Sequence, residues 1–181
     1  RIRGENMLTV VIPELKDYWY EKKLNEDPAS MNYNAGYDVS YSGYHYATGT
    51  IDFPEENFEK TYNKRKKENK FFAYLKDTKT NEFIGYVNYQ FDSSENYYDC
   101  GILIEASKRG KGYSKEGLKL LCEAAKKNGI KELYDSFEKD RYHAKVFEDV
   151  GFKVIKETTW KKFGKDVEGV IVKIELWKKK Y

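Results

Sequence analysis

The stretch GILIEASKRGKGYSKEGLKLLCEAAKK, residues 101–127, decides the reading of this chain. It opens on Gly101-Ile102-Leu103-Ile104, apolar on both faces as a central strand is. It closes on a helix from about Gly112 to Lys127, in which Leu118, Leu121, Cys122 and Ala125 recur at i, i+3, i+4 and i+7. Asn128-Gly129 then end that helix. Between strand and helix lie two glycines, Gly110 and Gly112. Glycine lets the chain turn tightly and approach a ligand with no Cβ in the way. A helix start leaves several N–H groups unpaired, each with partial positive charge. Together these features predict a pyrophosphate site, with Arg109, Lys111 and Lys115 adding full charges beside it.

Outward from this stretch the chain alternates in type. Met7 to Ile12 reads as a strand, and Pro13 opens a helix through Leu15, Tyr18, Trp19 and Leu24. From Asp27 to Phe53 periodicity is lost, while Tyr33, Tyr37, Tyr41, Tyr44 and Tyr46 crowd together with Asp38 and Asp52. A segment of this length is either a binding element or an aromatic cover over a sheet. Pro54, behind an Asp52 cap, opens a helix ending in Lys64-Arg65-Lys66-Lys67, read as a solvated helix end. Phe71 to Lys76 and Phe83 to Phe91 form a hairpin, and Tyr97 to Ile104 a third strand. After the central helix come a strand from Glu132 to Phe137 and a helix from Asp140 to Val150, ended by Gly151. Two last strands, Phe152 to Lys161 and Asp166 to Trp177, join at Phe163-Gly164-Lys165. The order predicts a single α/β (α+β) domain over residues 1–181, with a mixed central sheet of six or seven strands and about four helices.

Composition narrows the function classes. The 181 residues carry a net charge of +3, too little to point to nucleic acid. No apolar run reaches the roughly 18 residues that span a membrane. Arg1 to Asn6 lack a signal peptide's apolar region. Cys100 and Cys122 sit inside apolar patterns without metal-ligand spacing, so they read as packing thiols in a reducing, cytoplasmic compartment, with no metal.

Arg109-Gly110-Lys111-Gly112-Tyr113-Ser114 resembles the Arg/Gln-x-x-Gly-x-Gly/Ala signature of the GNAT superfamily of N-acetyltransferases, with Ser114 where glycine or alanine is usual. Downstream, Asp140 to Phe152 is similar to the family's Asn-x-x-Ser/Ala segment ending in Gly-Phe, here Gly151-Phe152. The likeness runs from about residue 70 to the C-terminus. It implies a wedge between two splayed parallel strands, at Gly101–Ile104 and Glu132–Phe137, that takes acetyl-CoA. Backbone groups around Leu103 and Glu105 are then expected to bond the pantetheine. Arg109, Gly110, Lys111, Gly112, Tyr113 and Ser114 are expected to hold the pyrophosphate, with Asp140 and His143 also beside CoA.

The resemblance implies direct attack of a primary amine, of a small molecule or a peptide, on the thioester. Proximity supplies up to ~7–11 kcal/mol of such a reaction when geometry is good. A base must take a proton from the ammonium. Asp99, on the central strand, is the first candidate, and Glu138 and Asp135 follow; each also reads as a solvated or capping carboxylate. Phe147 stands where the family often has the tyrosine that protonates the leaving thiolate. His143, one turn earlier, is a replacement donor, a CoA contact or a half-exposed helix residue. Asp140 reads as a helix N-cap. The tyrosine-rich segment, with its carboxylates, suits a cationic amine. A homodimer is left open. A catalytically silent acetyl-CoA-binding module or sensor is the alternative, because the tyrosine is missing.

Overall fold

The computed structural model describes residues 6–177. Apart from Asn6, the expectation for the N-terminal residues lies outside them. The strands are β1 (Leu8–Val11), β2 (Phe71–Asp77), β3 (Phe83–Asp92), β4 (Tyr97–Ile104), β5 (Glu132–Glu138), β6 (Lys153–Lys162) and β7 (Lys165–Glu175). The helices are α1 (Trp19–Asn25), α2 (Pro28–Met31), α3 (Phe58–Lys67), α4 (Tyr113–Lys127) and α5 (Tyr142–Val150). One seven-stranded sheet results, in the order β1-β2-β3-β4-β5-β7-β6. Every neighbouring pair is antiparallel except β4 and β5. This is the mixed sheet that the element order predicts.

Each face of the sheet is covered by the helix stripes read from the periodicity. Leu118, Leu121 and Ala125 of α4 are fully buried and pack over Leu75, Val87, Ile102 and Leu133. Each such leucine contributes roughly 1.5–3 kcal/mol by leaving water. Phe147 of α5 is 0% exposed, between Phe137 and Phe152, so it is a core residue. Tyr20, Leu24 and Met31 cover the opposite face over Phe72, Tyr74 and Leu103. Cys100 and Cys122 are both buried, and burial pushes the Cys122 thiol up to about 12. Among the described residues no helix is long and apolar enough to cross a membrane.

Several local expectations change. The stretch after Asp27 is not structureless: Asp27 accepts from the Ala29 N–H, Pro28 holds the first helical position, and α2 follows. The helix after Pro13 begins late, with a 3-10 turn at Leu15–Asp17 and α1 from Trp19, and both Leu15 and Trp19 are exposed. Asp52 caps nothing, because its carboxylate takes the His45 ring at 2.8 Å. Asp140 is likewise no cap. α5 starts at Tyr142 with Arg141 at the cap position and no side-chain cap bond. The basic run is not wholly solvated either, since Arg65 turns inward to the buried Glu21.

Candidate active site

Strands β4 and β5 pair only at Asp99 and Tyr134, and beyond that point they separate. The Glu105 N–H is given to Ile84 O on the β3 side at 2.9 Å, and its carbonyl accepts from the Lys108 N–H at 2.8 Å. Backbone groups alternate in direction along a strand. Those of Gly101, Leu103 and Glu105 therefore face β3, and those of Ile102 and Ile104 look across the gap toward β5. The gap is the throat of a cavity of about 860 Å³.

One half of the cavity is built from the loop between β4 and α4 and from the start of α5. Gly110, Gly112, Tyr113 and Ser114 line it, together with Arg109, Arg141, Tyr142 and His143. Gly112 is the N-cap of α4 at φ +80°, with no side-chain cap bond. Only glycine takes that conformation readily, and a Cβ added at Gly110 or Gly112 would meet nothing within 4 Å. The first N–H groups of a 15-residue helix are thus aimed into open space beside the cavity. Arg109 does not point freely into that space. Its guanidinium donates to the carbonyls of Ile104, Ala29 and Ser30 at 3.2, 3.4 and 3.1 Å, tying the loop to α2. Tyr113 also turns away: its hydroxyl donates to Asp77, whose carboxyl this bond and two backbone N–H groups hold down at about 2. Lys111 is exposed and outside the cavity lining.

The other half is lined by Glu21 and Asn25 of α1, Tyr33 and Ile51, Arg65 of α3, Phe72, Tyr86 and Asn88. Tyr33 and Ile51 come from the tyrosine-rich stretch, which thus contributes to the cavity, whereas Tyr41 and Tyr46 remain exposed. The other residues of this half carry no local motif. Each is ordinary in its own element, and only the tertiary fold brings them together.

The candidate bases separate. Asp135 lines the cavity, and its Oδ1 accepts from the Ser136 N–H at 2.8 Å. Burial, with the Asp99 charge next, raises its carboxyl well above the ordinary range. Asp99 stands on the strand face of Tyr97 and is outside the lining. Burial, assisted by Asp92, moves it up to about 6. Glu138 is held by Lys162 at 2.8 Å and does not line the cavity, nor does the exposed Asp140. His143 does line it, between the rings of Phe137 and Phe147. Burial and then the cations of Arg141 and Arg109 lower its imidazole to about 4. It is therefore neutral at pH 7, a hydrogen-bonding group and not an imidazolium acid. Arg141, unremarked in the sequence although it lies inside the Asp140–Phe152 motif, stands over the Tyr33 ring at 5.2 Å.

The sequence profile of the acetyltransferase (GNAT) family matches residues 17–152. The chain belongs to the GNAT acetyltransferase family. It is an acyltransferase by that membership, and acetyl-CoA is the donor of the family. No curated protein matches the chain by sequence. Among solved structures it is similar to a spermidine N-acetyltransferase from Vibrio cholerae in complex with CoA and spermine, at 17% identity and TM-score 0.75, over 95% of this chain and 97% of that one. It is also similar to an acetyltransferase from Salmonella typhimurium with acetyl-CoA, at 14% identity and TM-score 0.70, over 96% of each chain. A GNAT-family acetyltransferase from Bacillus anthracis matches at 16% identity and TM-score 0.69, over 96% of this chain and 97% of that one. At these identities the likeness is one of fold, and it covers the described sheet as a whole.

The chemistry of the lining suits the family donor. The splayed strands turn the Ile102 backbone groups and the Ile104 N–H toward the gap, the Ile104 carbonyl being taken by Arg109. The α4 start has no side-chain cap and open space at the Cβ positions of Gly110 and Gly112. Among the described residues no cluster of side chains could hold a metal ion.

Proposed function

We propose that this enzyme transfers an acetyl group from acetyl-CoA to a primary amine, with the donor in the β4–β5 gap and the amine arriving from the Tyr33–Tyr86 side. The observation that carries the reading is the single β4–β5 pairing at Asp99–Tyr134, with residues of both strands and the uncapped start of α4 lining one cavity. Acetyl-CoA supplies a thioester whose carbonyl carbon bonds to the amine nitrogen as its C–S bond breaks. In this reading the N–H groups from Lys111 to Ser114 hold the pyrophosphate. The Ile102 backbone and the Ile104 N–H, in place of Leu103 and Glu105, bond the pantetheine amides. Arg109 acts indirectly by fixing the loop to α2.

Asp135 is the base in this scheme. A carboxylate whose proton affinity is raised by burial takes a proton from an ammonium more readily than a solvated one. Asp99 stands behind it and raises that affinity through its charge. His143 remains neutral and donates a hydrogen bond in the donor half. The departing sulfur takes up one proton and a second passes to solvent, so an ammonium and a thioester become an amide, a thiol and one released proton. The amide product requires no covalent enzyme intermediate.

The test is release of free thiol from acetyl-CoA across a panel of primary amines, with the products identified by mass spectrometry. Amine-dependent thiol release with acetylated product is the expected result. Acetyl-CoA that raises the melting temperature but is consumed with no amine would make the chain a binding module instead.

A further inference from the structure

The charges that line the cavity are unequal in number and in availability. The lining holds two carboxylates, Glu21 and Asp135, and four cationic side chains, of which Arg65 is paired with Glu21, Lys108 with Glu82 at 3.1 Å and Arg109 with three carbonyls, leaving Arg141. Glu21 is 5% exposed and already satisfied, since its two oxygens accept from the Arg65 guanidinium at 2.7 and 2.6 Å. The Arg65 guanidinium carbon in turn stands over the Phe72 ring, 3.8 Å from its centre. Asp135 is left as the carboxylate that can meet an incoming ammonium. Only its Oδ1 is engaged, by the Ser136 N–H, among the described hydrogen bonds. Around the acceptor half the surfaces are the rings of Tyr33, Phe72 and Tyr86 and the side chain of Ile51.

We propose that the acceptor is a primary amine with one positive charge on an aromatic or apolar body, and that a polyamine is a poor substrate. This rests on the acetyl-transfer reading above and narrows it. One ammonium finds Asp135, and the adjoining rings accept an apolar body that leaves water as it enters. A second or third ammonium finds no unpaired carboxylate in the lining, and an ammonium taken from water into a cleft without a partner is strongly disfavoured. Spermine in a structural neighbour therefore does not carry over to this chain. Specificity is set by the Glu21–Arg65 pair, which removes the carboxylate a second cation would need.

The experiment compares kcat/KM for 2-phenylethylamine and for spermidine, with acetyl-CoA saturating and thiol release as the readout. The arylalkylamine should be preferred by about tenfold or more, a step of discrimination within reach of a pocket of this size. Spermidine used equally well or better overturns the substrate class while leaving acetyl transfer standing. So does turnover of a lysine peptide when 2-phenylethylamine gives none. Absence of thiol release with every amine overturns both readings together. Arg65→Gln frees Glu21 and should shift the preference toward spermidine by about tenfold. An unchanged ratio in the folded variant removes the pair from the argument, and should the variant not fold, the wild-type ratio decides.

Discussion

The two halves of the cavity are made in different ways. The donor half is backbone: a helix start with no side-chain cap, a left-handed glycine and the Ile102 and Ile104 strand groups that face the gap where β4 and β5 part. The acceptor half is side chains from α1, α3, β2, β3 and the stretch after α2, meeting across long separations. Glu21 and Arg65, its central pair, are 44 residues apart. Backbone recognition depends on conformation, so it tolerates much change of side chain and suits a ligand that does not vary. Side-chain recognition changes with each substitution, which suits the half that must choose among amines. Damage to the donor half should therefore remove binding outright, while damage to the acceptor half should change rate, preference or stability.

Gly112→Glu should have the largest effect. It places a charged side chain in the phosphate space and forces a residue into φ +80°. Loss of acetyl-CoA affinity by about 100-fold or more, equivalent to ~2.7 kcal/mol, is expected in calorimetry, with an unchanged circular dichroism spectrum. Gly112→Ala meets no neighbour and should retain most of the affinity; equal losses in the two variants would show that strain, not the phosphate space, is responsible.

Asp135→Asn comes next. Turnover should fall by about 10²–10⁴-fold with acetyl-CoA affinity nearly intact, the usual loss for a general base. Asp99→Asn should cost less than about tenfold. Its removal takes a like charge from beside Asp135, so the rising limb of the pH–rate profile should move to lower pH. If Asp99→Asn proves the more damaging of the two, the roles are reversed.

Arg65→Ala tests the acceptor half through stability. It leaves the Glu21 carboxylate buried without its partner, and losses from breaking such a pair are about 3–5 kcal/mol. Urea unfolding should show a lower midpoint with little change in acetyl-CoA affinity for the folded fraction.

The smallest effect concerns His143. Its folded value of about 4 lies below the ordinary imidazole value, so the unfolded chain takes up the proton first. Stability is full above about pH 6.5 and declines as the pH falls toward 4. His143→Phe removes that decline, and its melting temperature should drop less than the parent's between pH 7 and pH 5. Turnover at pH 8 should change by no more than about threefold, because a neutral imidazole is not the acid of the reaction.

Element order was legible because its signals are local. The period-3.6 stripe of α4, the hairpin between β2 and β3 and the Gly129 and Gly151 stops all appear as read. Local signals misled where a nearby partner was available but not chosen. Asp140 precedes a helix yet does not cap it, and Asp52 precedes one yet bonds His45. Arg65 sits in a run of four basic residues, and nothing within that run distinguishes it from the lysines beside it. Among the candidate bases, Asp135 lines the cavity and Asp99 does not, a difference that no local signal in either strand carries.

By itself the sequence determined that a strand runs through a glycine loop into an amphipathic helix, and it marked that helix start as the place to propose an anion site. Each of these facts is settled by residues within a few positions of one another. Tertiary structure alone decided which carboxylate faces the cavity, that Arg109 fastens a loop, and that Glu21 has Arg65 for its partner. The physical reason is range. Hydrogen bonds along a helix and steric limits on φ act between chain neighbours, whereas desolvation and charge pairing depend on whatever packing brings within a few ångströms.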